Sequence, residues 1–238
     1  MNQFGQPTGE PLSDWQAAKR PAGETLTGRF CCLKQLEPQR DYAALFSAFQ
    51  QAADGRDWTY LSIERPDSPA AMLQHLNTLQ ANATLVNLTV FDNVSQAPVG
   101  TVAYMRIDEA NGVAEIGHVS WSPAMKQRSS ATEAIYLMLR HLFEDLGYRR
   151  CEWKCDSHNA PSKQAAARFG FLHEGTFRYA VITKGRSRDT DWFAITADRW
   201  PAIKAGFEQW LSPDNFNAQG QQIKRLQDFM PLTSPDIG

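Results

Sequence analysis

The chain has 238 residues, of which 42% are hydrophobic and 21% are charged, values typical of a folded globular protein. Its formal charge of −2 gives no overall attraction to nucleic acid or to an anionic membrane surface. No apolar run reaches the roughly 18 residues that a membrane span requires. We therefore expect neither a nucleic-acid partner nor a membrane partner.

The N-terminus and the cysteines predict a cytoplasmic protein. Residues 1–24 are rich in Pro, Gly and polar residues and lack the apolar stretch of a secretory signal. We expect them to form an arm that packs on the domain or stays mobile. Four cysteines in a chain of this length favour reduced thiols over a disulfide framework. Cys151, Cys155 and His158 lack a second pair of ligands, so no metal is predicted.

The first half of the chain predicts one strand, two helices and three further strands. The strand covers 28–36, and the two helices cover 38–52 and 67–81. Ser68 before Pro69 is a typical cap for the second helix. Turn residues separate the three later strands, which are predicted over 84–91, 98–108 and 112–121. Short connections of this kind predict an antiparallel meander.

The second half begins with the most regular amphipathic helix of the chain. The predicted elements are helix 130–146, strand 149–156, helix 159–170, strands 171–183 and 189–197, and helix 199–211. Gly147 is expected to stop the first of these helices, and Asn159 is a candidate cap for the second. The charged segment "KGRSR" is predicted as a turn, and residues 212–238 as a loosely packed tail.

This order of elements predicts an α/β (α+β) fold. A mostly antiparallel sheet would meet a βαβ crossover near residue 120. The point at which strand pairing changes sense is a natural place for a ligand. We therefore look for binding residues close to that crossover.

The segment "SPAMKQRSSATEA", residues 122–134, lies at the predicted crossover and enters a helix. A helix start has unsatisfied N–H groups and a positive dipole end, which together bind anions. Two cations and three hydroxyls accompany it: Lys126, Arg128, Ser129, Ser130 and Thr132. The alternative is an ordinary helix start, with a capping box in which Ser130 caps and Glu133 reaches back. The segment alone leaves both interpretations open.

With its surroundings, this segment resembles the GNAT superfamily of N-acetyltransferases. The resemblance covers about residues 25–200 and is greatest to the branch of ribosomal-protein N-terminal acetyltransferases (the RimJ/RimL type). Four motifs occur in the order of that family: "EIG", "ATEA", "LG-R-E" and "N-A-P-S…A-R-F-G-F…E-G". The resemblance implies a GNAT-like acyl-CoA N-acyltransferase fold, whose mixed, mostly antiparallel sheet is flanked by helices and has a central V-shaped split. Together with the composition of the two ends, it predicts an arm (1–24), a GNAT domain (25–211) and a tail (212–238).

The resemblance implies an acetyl-CoA-dependent enzyme that uses acetyl-CoA as co-substrate and needs no metal. Acetyl would pass to a primary amine, either a protein N-terminus or a small-molecule amine, by direct attack of the amine. The alternative is a non-catalytic GNAT-fold module that binds CoA or a protein partner. A homodimer is left open. The acceptor is not identified by these motifs.

The resemblance also assigns residues to the donor. The backbone from Val119 to Trp121 would bond the pantetheine arm, as a peptide adds to a strand edge. The remaining cofactor candidates are Lys126, Gln127, Arg128, Ser129, Ser130, Ala131, Thr132, Asn159 and Ser162. Ser129 stands where the family usually has its first loop glycine. Serine can hold α-region dihedrals, so we expect a negative φ at Ser129.

Two residues are catalytic candidates by the same resemblance. Ser162 would protonate the departing thiolate, and its alternative is a solvent-facing serine in the first turn of a helix. Glu115 would act as general base if its side chain faces the cleft, and its alternative is a charge at the rim. His118 is the next candidate for the base. For Asn159 the alternative to pantetheine binding is a helix cap, and the two are compatible.

Overall fold

The computed structural model describes residues 1–231, in which seven strands and five α-helices follow the predicted order and a short first strand, β1, was not predicted. The elements are β1 Leu26–Thr27, β2 Cys31–Gln35, α1 Pro38–Gln50, α2 Pro69–Ala81, β3 Val86–Asp92, β4 Pro98–Asp108, β5 Val113–Trp121, α3 Ser129–Arg140, β6 Arg150–Asp156, α4 Ala160–Arg168, β7 Leu172–Thr183, β8 Arg186–Thr196 and α5 Trp200–Leu211. The Ser68 side chain accepts a hydrogen bond from Ala71 N, as expected for the predicted cap of α2. No helix within residues 1–231 is long and apolar enough to cross a membrane.

One sheet contains all eight strands, in the order β1-β2-β3-β4-β5-β6-β8-β7. Every neighbouring pair is antiparallel except β5 with β6, which are joined by the crossover helix α3. This parallel pair is short, because Val113–Glu115 pairs with Arg150–Glu152 and the ladder then ends. Both strands continue past that point, β5 to Trp121 and β6 to Asp156. The predicted mostly antiparallel sheet, with its crossover and central split, is confirmed.

The sheet is covered on both faces. Helices α3, α4 and α5 pack on one face and form the larger core with residues such as Tyr104, Ile116 and Trp153. Helices α1 and α2 form a smaller cluster on the other face, which includes Leu45 and Trp58. Helix α3 is the most enclosed element, because every residue from Ser130 to Leu139 is buried. Burying an apolar side chain contributes roughly 1.5–3 kcal/mol, so α3 makes a large contribution to stability.

Glu133 fastens α3 to the start of the sheet. Its Oε1 accepts a hydrogen bond from Arg29 N at 2.7 Å, and its Oε2 accepts from Phe30 N at 2.6 Å and Cys31 N at 2.9 Å. The predicted capping box is therefore wrong: α3 starts at Ser129, its N-cap is Arg128, and no side chain caps it. The carboxylate instead satisfies three backbone amides of the β1–β2 turn.

The last hairpin differs from the predicted charged turn. Strand β7 ends at Thr183 and β8 begins at Arg186, so the turn contains only Lys184 and Gly185. Both have positive φ, 50° and 71°. Two such residues give a tight turn whose twist matches that of the strands it joins. The prediction of a five-residue turn over 184–188 is therefore wrong, because Arg186, Ser187 and Arg188 belong to β8.

The arm and the tail each contact the domain through a few side chains, whereas residues 1–14 are exposed. In the arm, the Trp15 indole donates to Ala110 O at 2.8 Å. In the tail, Leu226 is only 1% exposed, and the Asn215 side chain donates to Trp210 O at 3.0 Å. Residues 212–231 are mostly exposed, in keeping with the expected loose packing, but a few side chains among the polar ones anchor them to the domain. The remainder of that prediction, 232–238, lies outside the described residues.

We predict that Glu133→Gln lowers the free energy of unfolding by about 2 kcal/mol, because the new amide nitrogen would face a backbone N–H donor whichever way it turned. A urea titration measures the change. The matched control is Glu10→Gln, at an exposed glutamate of the arm, which should have no measurable effect. Equal stability of the two variants would contradict the role assigned to Glu133.

Candidate active site

Strand β5 carries a bulge where the split opens. Its register with β4 shifts between the Ala103–Gly117 pair and the Thr101–Ser120 pair, and His118 lies in the bulge with φ +51°. A bulge re-aims the strand and releases backbone groups from the ladder. Val119 and Trp121, the predicted pantetheine residues, lie beyond the last pair with β6, so this edge of β5 faces the split.

The loop between β5 and α3 presents free amides at the helix start. The amides of Gln127, Ser129 and Ser130 donate to no acceptor within residues 1–231, whereas Ala131 N donates to Arg128 O at 3.2 Å. The positive φ of this loop occurs at Gln127, at +58°, and not at Ser129. A negative φ at Ser129 is thereby confirmed. Free amides at a helix N-terminus suit an anion, since the dipole is positive there.

A cavity of about 1060 Å³, here called the donor cavity, lies in front of the α3 N-terminus. Six consecutive predicted residues line it: Gln127, Arg128, Ser129, Ser130, Ala131 and Thr132. Part of the opposite wall comes from α5 and the tail, through Trp210, Gln221 and Gln222. The Trp210 indole donates to Gln222 Oε1 at 2.8 Å, which holds the tail in this position. The structure thus brings the predicted loop residues together around one space.

Two arginines in the donor cavity were missed by the sequence analysis. Arg29 comes from the β1–β2 turn and Arg168 from the end of α4. Arg168 donates to Thr132 Oγ1 at 3.0 Å, and burial lowers the pKa of its guanidinium. Neither arginine has a carboxylate within ion-pair distance in residues 1–231. The position of Arg168 within the "A-R-F-G-F" motif was a usable signal, but Arg29 gave none.

Lys126 does not join this group. Its Nζ forms an ion pair with Asp57 Oδ1, in the short helical turn Arg56–Trp58 between α1 and α2. It is absent from the lining of the donor cavity. Among the predicted loop cations, Arg128 is therefore the one that faces the cavity.

The start of α4 lies beside the far arm of the split. The Asn159 side chain accepts a hydrogen bond from Ser162 N at 3.2 Å, so Asn159 caps the helix as expected. Ser162 Oγ accepts a hydrogen bond from the Trp153 indole of β6 at 3.0 Å. Because that bond occupies an oxygen lone pair, the hydroxyl proton stays available to a nearby acceptor. Neither Asn159 nor Ser162 lines the donor cavity.

Glu115 is 4% exposed and belongs to a charged cluster on the α1/α2 face of the sheet. Its Oε2 lies 3.0 Å from Lys154 Nζ and 3.0 Å from Arg106 Nε. Lys154 Nζ also lies 2.6 Å from Glu152 Oε2 and 3.6 Å from the centre of the Trp192 ring. Burial raises the pKa of Glu115, while Lys154 and Arg106 oppose that rise. A carboxylate with a raised pKa suits a general base.

Gly117 keeps space beside this carboxylate. A Cβ at position 117 would collide with Met105 and approach Glu115 Oε1 to 3.3 Å. The neighbouring His118 side chain is exposed to solvent, although desolvation by the surrounding chain lowers its pKa. Within residues 1–231, no group of three or more His, Cys, Asp or Glu side chains is arranged to hold a metal ion.

The sequence matches the family described as the acetyltransferase (GNAT) domain over residues 31–172, which is more than half of the chain. The chain belongs to the GNAT acetyltransferase family. A GCN5-related N-acetyltransferase of Brucella melitensis, known from a crystal structure, is 39% identical. That match covers 92% of this chain and 99% of the other, with a TM-score of 0.89. The predicted GNAT fold and acetyltransferase activity are confirmed.

Two further GNAT relatives are more distant. The uncharacterized N-acetyltransferase p20 of Bacillus licheniformis is 27% identical over 128 residues, which is 52% of this chain and 69% of that protein. The ribosomal-protein-serine acetyltransferase of Escherichia coli (strain K12) is 29% identical over 101 residues, 42% of this chain and 55% of that protein. The latter agrees with the predicted branch, although the alignment spans little more than half of that protein's length.

We predict opposite effects of glycine at two positions of the loop. Gln127→Gly should raise the free energy of unfolding by roughly 0.5–1 kcal/mol, because a side chain at φ +58° is disfavoured. Ser129→Gly should lower it by roughly 0.5–1 kcal/mol, because glycine there adds only backbone freedom. Thermal unfolding of both variants measures the pair. The reverse order of stabilities would contradict the backbone path described for the loop.

Proposed function

We propose that this GNAT acetyltransferase transfers an acetyl group from acetyl-CoA to a primary amine, by direct attack of the amine on the thioester. The observation that carries the proposal is the combination, along one strand split, of a helix start with free amides and a buried carboxylate. Acetyl-CoA supplies the acetyl group as an activated thioester. The acceptor would be a protein N-terminus or a small-molecule amine.

The donor cavity fits the phosphates of CoA. Free amides at Gln127, Ser129 and Ser130 suit a pyrophosphate, and Arg128 and Arg168 supply positive charge without carboxylate partners in the described chain. The released edge of β5 from Val119 to Trp121 would bond the pantetheine amides in the manner of an added strand. Asn159 would meet the same arm from the α4 side. Lys126 would act from outside the cavity, by fixing the loop through Asp57.

Glu115 and Ser162 would handle the protons. An α-amine has a pKa near 8 and a lysine amine near 10.4, so the attacking amine must lose a proton to a base. Glu115 would take that proton, directly or through a water molecule, and the raised pKa of Glu115 suits the task. Ser162 would pass its hydroxyl proton to the departing thiolate and regain a proton from solvent, while Glu115 releases the proton of the amine to solvent. No covalent bond to the enzyme is needed, so the buried Cys151 and Cys155 remain core residues.

We also propose that residues 25–211 form the catalytic domain, with the arm and the tail as additions. The tail supports donor binding, since Gln221 and Gln222 line the donor cavity. All four cysteines are free thiols, which favours a reducing, cytoplasmic setting. An acetyl-transfer screen that measures released thiol, over small amines and peptides, tests the activity. No thiol release above background with any amine would refute the proposed function.

We predict that Arg168→Ala weakens CoA binding about tenfold, because a hydrogen bond from a charged donor contributes roughly 1.5 kcal/mol or more. Arg168→Lys should retain part of the affinity, since it keeps the charge. Isothermal titration with CoA and with dephospho-CoA measures the loss and tells which phosphate Arg168 contacts. A wild-type dissociation constant in Arg168→Ala would remove this residue from the donor site.

We predict that kcat/KM falls on the acidic side of its pH profile, and that this acidic limb lies at a higher pH than an ordinary glutamate would give. The base must be ionised, so activity falls as the pH drops through the pKa of Glu115, which burial raises. Glu115→Gln should lower kcat/KM by roughly 100-fold and remove this limb. Glu152→Gln should instead move the limb to lower pH, because Glu152 helps to raise the pKa of Glu115. A limb unchanged in both variants would exclude Glu115 as the base.

A further inference from the structure

A second cavity, of about 940 Å³, lies on the α1/α2 side of the molecule, at the carboxyl end of β6. We call it the acceptor cavity. The segment after α1 contributes Thr59 and Tyr60 to its lining, β6 contributes Asp156, and the last hairpin contributes Arg186 and Arg188. Tyr60 OH donates to His158 O at 3.1 Å, which connects this wall to the residue before the α4 cap. The cavity thus adjoins the helix start that carries Ser162.

Some charged side chains of the acceptor cavity have ion-pair partners within residues 1–231, whereas Arg188 has none. Lys184 Nζ lies 2.8 Å from Glu64 Oε1, and Asp156 Oδ1 accepts a hydrogen bond from His158 N at 2.9 Å and lies 3.0 Å from His158 Nδ1. Arg188 is half-buried, yet no carboxylate of the described chain lies within ion-pair distance of it. Its Nε is buried and has no hydrogen-bond partner in residues 1–231. A buried N–H group is normally hydrogen-bonded, and this guanidinium also carries an unpaired charge, so Arg188 is suited to an anion from outside the chain.

A second unsatisfied group lies next to Arg188. Thr190 is 6% exposed, and its buried Oγ1 has no hydrogen-bond partner among residues 1–231. Residues two apart on a strand share a face, so Thr190 lies on the same side of β8 as Arg188. Thr190 also pairs with Asp156 across β6, and both Asp156 and Arg188 line the acceptor cavity. Arg188, an unpaired cation of the cavity lining, therefore lies two residues along β8 from a buried hydroxyl that has no partner within residues 1–231.

The same face of β8 also extends to the region of Glu115, the proposed base. Trp192 lies two residues further along β8 and pairs with Lys154, whose ammonium contacts Glu115. From Trp192 to Arg188 the strand rises four residues, or about 13 Å at roughly 3.3 Å per residue. A free α-amino acid is far too short to reach from one end to the other. An extended peptide rises at the same rate, so it spans this distance in three to four residues.

We propose that the acceptor is a peptide N-terminus that carries a carboxylate about three residues from its α-amine, and that Arg188 binds this carboxylate with help from the Thr190 hydroxyl. The inference rests on the proposed acetyl transfer, because it places the amine near Glu115. Arg188 and Thr190 are specificity-determining residues in this arrangement. They select the acceptor and take no part in the proton transfers.

The test compares kcat/KM for two tetrapeptide amides, Ala-Ala-Glu-Ala and Ala-Ala-Gln-Ala. The wild-type enzyme should prefer the glutamate peptide by roughly tenfold or more, the value of one charged hydrogen bond. Arg188→Gln should reduce this ratio to about one, and Arg188→Lys should retain part of it. Thr190→Val should lower it by a smaller factor. Arg225→Gln, at an exposed arginine paired with Asp228, is the matched control and should keep the wild-type ratio.

Tripeptide Ala-Ala-Ala, as free acid and as amide, distinguishes a terminal carboxylate from a side-chain carboxylate. A higher rate for the free acid means that the carboxylate is the C-terminal one of a short peptide. Equal rates for the glutamate and glutamine peptides would overturn the proposal, as would a preference that survives Arg188→Gln. If small amines are acetylated but no peptide is, the peptide acceptor is wrong while acetyl transfer stands. If no amine at all releases thiol, both proposals fail.

Discussion

The cleft of this protein exists because β5 and β6 are paired over only three residues. Parallel strands in the middle of a sheet would normally continue their ladder, since an unpaired edge inside a protein leaves backbone groups unsatisfied. Here the ladder ends at Glu115 and Glu152, and both strands run on apart. The bulge at His118, the start of α3 and the start of α4 all lie around that divergence. The donor and acceptor cavities occupy the space around it.

Helix α3 must be held firmly while its first turn stays open. A helix usually satisfies its first amides with its own capping side chain, and the sequence offers Ser130 and Glu133 for that purpose. The structure uses Glu133 elsewhere, on the amides of Arg29, Phe30 and Cys31. The same carboxylate therefore ties the helix to the sheet and leaves the helix start free. Glu133 thus stabilises the packing of α3 on the sheet without using the N–H groups of the first turn of α3, which remain available to an anion.

The structural features that could be predicted from the sequence are those determined by residues close together in the chain. The meander, the crossover and the Ser68 and Asn159 caps each follow from residues within a few positions of one another. The predicted helix 130–146 is α3 followed by a π-helical turn, His141–Asp145, and Gly147 with φ +78° comes directly after its cap Leu146. The loop residues from Gln127 to Thr132 were found because a motif marks them.

The features that sequence missed depend on distant partners. Glu133 meets amides about one hundred positions away, Lys126 turns to Asp57, and Arg29 enters the donor cavity from the opposite end of the domain. The tight Lys184–Gly185 turn was missed because a lysine at positive φ has no clear local signal. That one error hid Arg188, since it moved a strand residue into a supposed solvated loop.

The wall of the donor cavity brings together the first hairpin and the tail, which are far apart in the chain. Arg29 enters it from the first hairpin, and Gln221 and Gln222 enter it from the tail, where Phe30 and Phe216 have ring centres 5.3 Å apart. A molecule held there would contact the first hairpin and the tail at the same time. Neither segment could then leave the wall without losing its contacts to that molecule, so by mass action occupancy stabilises both segments together. Resistance of the tail to proteolysis should thus report how full the cavity is.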